Sequence, residues 1–194
     1  MLRLSLVCLV LLVGGALEGD RGILLGNTLA QAGAQVRLTA TSVKSAYQSG
    51  EPIEIALTLE NTGTVLANLS DRVTGTLQII SLTRDGTPVP TRSSIVNFLE
   101  DLGYTLEQSL KAVAPGQTLQ LVWRSERDHV LGQQALDTVE FQTEDFHHIT
   151  FYGVQTPGKY ELAVVYQFPS EAAPNAQPYL GPTDPAIVAF EVLP

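Results

Sequence analysis

The sequence predicts an all-β protein: an antiparallel sandwich of short strands with one long loop insertion and at most one short helix. Three observations point there. Apolar and polar residues alternate with a period of two in several separate runs, clearest at Ile53–Leu59, Leu119–Arg124, Tyr160–Tyr166 and Ile187–Val192. Glycine, proline and asparagine punctuate the gaps between these runs. Only one stretch carries apolar residues at helical spacing.

The elements follow in order. Gln35–Tyr47 alternates Val36, Leu38 and Ala40 with Arg37, Thr39 and Thr41, which predicts a first strand bent or broken near Ser42. A turn at Gln48–Pro52 leads into the central strand, where Ile53, Ile55, Leu57 and Leu59 face one way and Glu54, Thr58 and Glu60 the other. Asn61-Thr62-Gly63 ends it with residues suited to turns. Val65, Leu66 and Leu69 suggest a short third strand. Val73–Thr83 reads as a fourth, with Leu77, Ile79 and Ser81 facing one way and Ile80 and Leu82 the other. Asp85-Gly86 is a hairpin turn signal.

Between Thr91 and Ser109 the pattern changes. Ile95, Phe98, Leu99 and Leu102 stand at helical spacing behind Ser93 or Ser94 as a cap and ahead of Gly103 as a stop, so a short helix is expected here. Pro115-Gly116 makes the next turn, and Leu119, Leu121 and Trp123 form the buried side of the strand after it. Trp123, the one tryptophan, is expected as a core ring between two sheets. Ser125–Gln155 is the least regular part and holds all three histidines; it is either a functional loop or a set of short strands. Tyr160, Leu162, Val164 and Tyr166 line one side of a strand opened by Pro157-Gly158. Pro169–Pro185, with five prolines, is an irregular connection, and Ala186–Leu193 closes the chain as a strand.

The first thirty-two residues read as a secretory signal, with Arg3, an apolar run from Leu4 to Val13 and a small-x-small cut site at Ala30-Gln31-Ala32. Glu18, Asp20 and Arg21 make the linking stretch longer and more charged than usual, and a cut near Gly15–Ala16 is the alternative. Ten apolar residues are too few to span a bilayer, which takes about 20. The expected organisation is therefore a signal peptide at 1–32 and one sandwich domain at 33–194, placed outside the cytoplasm as a periplasmic or secreted protein with no stable membrane insertion.

Cys8, the only cysteine, lies inside the apolar run. Its removal leaves no disulfide, thiol nucleophile or thiolate ligand, so the core alone must hold the domain. A chain of roughly 160 residues buries about 68–70% of its unfolded surface, which suffices. The formal charge of −9 falls wholly after the leader, because Arg3 and Arg21 cancel Glu18 and Asp20. With no lysine or arginine cluster, the chain is a poor match for nucleic acid.

The runs Gly50-Glu51-Pro52-Ile53-Glu54-Ile55-Ala56-Leu57-Thr58-Leu59-Glu60-Asn61-Thr62-Gly63, Ala114-Pro115-Gly116-Gln117-Thr118-Leu119 and Thr156-Pro157-Gly158-Lys159-Tyr160-Glu161-Leu162 resemble the strand and turn signatures of bacterial secreted immunoglobulin-like modules. They are also similar to those of the BsuPI-type proteinase inhibitors. The resemblance implies an immunoglobulin-like sandwich and marks the fold more than any activity. The Ser125–Gln155 insertion and the Thr91–Ser109 segment depart from the inhibitor pattern, so no inhibitory residue is carried over.

Candidate chemistry is sparse. Glu144-Asp145-Phe146-His147-His148, with His129 from the same region, offers carboxylate and imidazole ligands suited to zinc, nickel or copper. Adjacent residues of an extended chain point to opposite sides, which sets His147 against His148 as joint ligands. There is no G-x-S-x-G elbow and no S-x-x-K for nucleophilic catalysis. Asn68-Leu69-Ser70 fits the glycosylation acceptor pattern. No catalytic residue and no cofactor is expected. The expected function is a non-catalytic protein-interaction or structural module of the cell envelope whose partner is another envelope or secreted protein. A secreted proteinase inhibitor is the alternative, and a metal-binding protein using His129, Asp145, His147 and His148 a further one.

Overall fold

The first strand does bend at Ser42, and that bend lets one stretch of chain serve two sheets. In the computed structural model, which describes residues 34–96, 101–142, 146–173 and 176–194, β1 (Val36–Ser42) is followed after three residues by β2 (Ala46–Gln48). With β3 (Glu54–Asn61) and β9 (Thr118–Arg124), β1 forms an antiparallel front sheet in the order β1-β3-β9. β2 instead pairs in parallel with β14 (Ala186–Leu193) at the edge of the back sheet. That sheet continues through β13 (Gly158–Tyr166) and β5 (Leu77–Arg84) to β6 (Thr87–Pro88). A small ladder, β4 (Ala67–Ser70) with β8 (Leu110–Val113), completes the sandwich.

The buried faces are those the alternation marks. Ile53, Ile55, Leu57 and Leu59 join Leu121, Trp123, Leu162, Val188 and Phe190 in one hydrophobic cluster, and Trp123 is the expected core ring. The Phe190 ring stacks on Tyr160 at 5.0 Å and meets the edge of Tyr47 at 6.1 Å. The fold is thus the predicted all-β antiparallel sandwich.

Two side chains satisfy backbone groups that the sheets leave over, as burial requires. The Tyr47 hydroxyl accepts from Lys44 N (3.2 Å) and Glu54 N (3.3 Å) and donates to Glu54 O (2.8 Å), tying the bend to the start of β3. Asn61, which the sequence offers only as a turn residue, is fully buried. Its Nδ2 donates to Val65 O and Val113 O, each at 2.8 Å, and its Oδ1 accepts from Gly63 N at 3.0 Å.

The Asp85-Gly86 turn forms as expected, with positive φ at both residues (51° and 78°), a conformation cheap for glycine and tolerated by aspartate. In β5 the expected split of faces fails. Its register against β13 shifts between Ala163 and Val164, so Leu77 and Leu82 are both buried while Ile80 is exposed. A bulge inserts one unpaired residue and changes the phase of the alternation.

The Thr91–Ser109 helix requires correction. Thr91–Val96 is a strand, β7, and the helix α1 lies later, at Leu102–Gln108. Phe98 and Leu99 lie outside the described residues. Gly103 does not stop the helix but sits within it, where a Cβ would meet Ala172 O at 3.2 Å. Leu102 and Leu106 are the buried side of α1 and pack over Gly75, whose Cβ position lies 3.2 Å from Leu106 Cδ1. The proposed leader also lies outside the described residues, and none of the described helices is long and apolar enough to cross a membrane.

The Tyr47 hydroxyl carries the first prediction. Replacing it in Tyr47→Phe leaves the part-buried Lys44 and Glu54 amides without this acceptor, and should lower the urea unfolding free energy by about 0.5–1.5 kcal/mol. The m-value should stay unchanged, since the surface buried on folding is the same.

Candidate functional site

The long insertion resolves into strands. Ser125–Gln155 holds β10 (Glu126–Asp128), β11 (Gln133–Phe141) and β12 (His147–Gly153), which with β7 make a third, antiparallel sheet in the order β10-β11-β12-β7. Leu136, Val139, Ile149 and Val154 from this segment belong to the same hydrophobic cluster as the sandwich. Mixed polarity hid the strands because β11 is buried on both faces, with a burial run that shows no alternation.

Side-chain hydrogen bonds at Ser125, Ser49 and Gln78 fasten this sheet to the sandwich. The Ser125 hydroxyl accepts from Ile53 N (2.8 Å) and donates to Gln134 Oε1 (3.1 Å). Ser49 Oγ donates to Gln155 O at 3.1 Å. Gln78 Nε2 donates to Val139 O, also at 3.1 Å.

On one face of the third sheet, Arg92, Ser94 and Val96 of β7, Ile149 and Phe151 of β12, and Ala135 and Asp137 of β11 border a cavity of about 520 Å³. The β10 strand and the turn after it form the opposite wall, with Glu126, Asp128, His129 and Val130. A clasp holds that wall in place. Arg92 Nη2 reaches Asp128 Oδ2 at 2.8 Å, and the guanidinium lies 4.5 Å from the centre of the Phe151 ring. Burial works against the Asp128 charge, yet hydrogen bonds from Leu131 N–H and Arg92 outweigh it and hold the carboxyl below its ordinary range. Val130 N also donates to Asp128 Oδ1, so the turn is braced from within while the Val130 side chain stays exposed.

Asp137 is the perturbed group of the cavity. Burial first, and then the nearby Glu126 carboxylate, push it from the ordinary 3.8 up to about 6. Perturbed groups in a concave site mark functional candidates more often than surface ones do. Neither Asp137, Glu126 nor Arg92 stands out in the sequence, since nothing in residue spacing brings β7, β10 and β11 together.

The histidines do not converge. His147 is fully buried against Phe141, with ring centres 5.0 Å apart, and pairs in register with Phe141. His148 points the other way, its Nδ1 3.7 Å from Glu140 Oε2. His129 follows β10 at the far end of β11, about 26 Å away at a rise of about 3.3 Å per residue. Asp145 lies outside the described residues, and among the described residues no three His, Cys, Asp or Glu side chains are placed to share a metal ion. The glycosylation pattern at Asn68 has a structural use: Asn68 Nδ2 donates to Gln177 O at 3.1 Å and its carbonyl accepts from Tyr179 N at 2.9 Å, pinning the proline-rich connection.

A second hollow, an open groove of about 620 Å³, runs between β5, the end of β11 and residues 167–171 and 180–181. Glu140 and Glu171 border it, and its amide Gln78 is already engaged with Val139.

No family model matches the chain, and no curated protein matches it. Among solved structures it is similar to the Pseudomonas fluorescens alkylpurine DNA glycosylase AlkC bound to DNA containing an abasic site analog, with 12% identity and a TM-score of 0.36. The match covers 86% of this chain and 33% of that one. A likeness this loose carries nothing about function.

Asp137 gives the second prediction. Its folded-state value is raised, so the native state resists ionising it: the cost is absent below about pH 4, grows between pH 4 and 6, and is full above that. Asp137→Asn should therefore raise the stability of the protein by about 2–3 kcal/mol at pH 7.5 and by little at pH 4, read from melts across that range.

Proposed function

We propose that the protein is a non-catalytic binding module working outside the cytoplasm, whose partner is an extended segment of another envelope or secreted protein added as a strand beside β7. The observation that carries this reading is the state of the β7 edge. β7 ends its sheet, paired with β12 on one side and, among the described residues, with nothing on the other. Its sequence, Thr91-Arg92-Ser93-Ser94-Ile95-Val96, has neither the proline nor the lysine that usually blunts an edge. Its one charge, Arg92, is drawn inward to Asp128. Strand addition at such an edge draws affinity from main-chain hydrogen bonds and specificity from alternate side chains.

The outward face of β7 supports the same occupant. Ile95 is 67% exposed, and it lies in one row across the sheet with His148 and Glu140. An apolar residue of the added strand would cover Ile95. The net charge of −9 favours a segment with basic neighbours on either side. The extracytoplasmic setting rests on the leader-like residues, Arg3 with the Leu4–Val13 run and Ala30-Gln31-Ala32.

Ile95→Lys tests the edge. A lysine on an exposed edge strand opposes pairing without disturbing the core, so melting should be unchanged. Proteins captured from the envelope fraction by the wild-type chain should bind the variant at least about tenfold more weakly, the loss expected when a central apolar contact worth about 1.4 kcal/mol or more is replaced by an unpaired charge. Equal capture by both chains would remove β7 from the interface.

A further inference from the structure

The cavity walled by β10 has a charge and shape that strand addition at β7 leaves unused. Its volume, about 520 Å³, lies within the range of small-molecule sites, about 300–1,000 Å³. The Ala135, Ile149 and Val96 side chains line it with apolar surface. At one side stand two carboxyl groups. Glu126 pairs in register with Ala135, and Asp137 is two residues further along β11, so the two acids are diagonal neighbours on adjacent strands.

We propose that this cavity binds a small organic ammonium ion, an amine with a compact apolar body, whose nitrogen sits between the carboxyl groups of Glu126 and Asp137. The cation would relieve the repulsion between the two acids and compensate the half-buried Asp137 carboxylate, which has no ion-pair partner among the described residues. Arg92 does not fill that role, because Asp128 and the Phe151 ring already hold its guanidinium. An anion would meet the same two carboxylates as repulsion, and a neutral ligand would leave them uncompensated.

A metal ion fits less well. Calcium takes six to eight oxygen ligands, and among the described residues no three acids or histidines are gathered to supply them. The apolar lining, useless to a bare ion, gives an amine's carbon body a place to go.

The proposal makes binding depend on pH. Asp137 must be ionised to bind, and its carboxyl stands at about 6. The charged groups facing it are Glu126, Arg127 and Asp128 on β10, His129 in the turn and Arg92 on β7.

Calorimetry on the full chain with phenethylammonium chloride tests this, with 2-phenylethanol as the neutral counterpart of the same shape. At pH 7.5 the amine should bind at least about tenfold more tightly than the alcohol, and its affinity should fall about tenfold at pH 5, following one carboxylate titrating near 6. Asp137→Asn should reduce amine affinity about tenfold or more and abolish the pH dependence, with Glu126→Gln giving a smaller loss; circular dichroism confirms that both variants fold. Equal affinity for amine and alcohol, an unchanged amine affinity in Asp137→Asn, no heat from millimolar amine, or binding of calcium in its place would each overturn the proposal.

Discussion

The sandwich depends on a chain that changes sheets without leaving its backbone bare. β1 belongs to the front sheet and β2 to the back one, and the three residues between them must turn across the edge of the core. Buried or half-buried peptide groups at such a crossing lose water and need protein partners. The Tyr47 hydroxyl supplies them to Lys44 and Glu54, while its ring packs edge-on against Phe190. One side chain thus satisfies the crossing and fills the space behind it. Tyr47 itself stands in β2, opposite Val192 in the parallel pairing with β14.

Strands buried on one face were legible because burial and sequence then share a period. Ile53 to Leu59 and Ala186 to Leu193 read directly as structure for that reason. Where another constraint intervened, the signal broke down. The bulge in β5 put Leu77 and Leu82 on the same side although they stand an odd number of positions apart, five. In β7 the residues 93–96 mimicked a helix start, since serines cap helices as readily as they pair across strands; Ser93 Oγ in fact meets Thr150 Oγ1 at 2.9 Å. Gly103 looked like a helix stop, and its role is to let α1 approach the Ala172 backbone.

The site was the least legible part. Its wall, floor and charged groups come from β7, β10, β11 and β12, which lie up to sixty residues apart and are joined only by sheet pairing. No local motif encodes a diagonal pair of carboxyls such as Glu126 and Asp137. The histidines drew attention by chemistry alone, and strand geometry then sent His147 into the core and His148 toward Glu140. The Arg92–Asp128 ion pair ties β7 to β10 across the cavity, and the ladder to β11 holds β10 as well.

The side-chain bonds that fasten the third sheet to the sandwich lie at Ser125, Ser49 and Gln78. The first two meet the sheet at one corner, because Ser125 holds the Gln134 side chain, Gln134 N donates to Gln155 Oε1, and Ser49 holds the Gln155 carbonyl. The Gln78 bond reaches β11 further along, at Val139. A pull on β7 would therefore pass into the sandwich through two places along β11 and through the hydrophobic core that the sheets share.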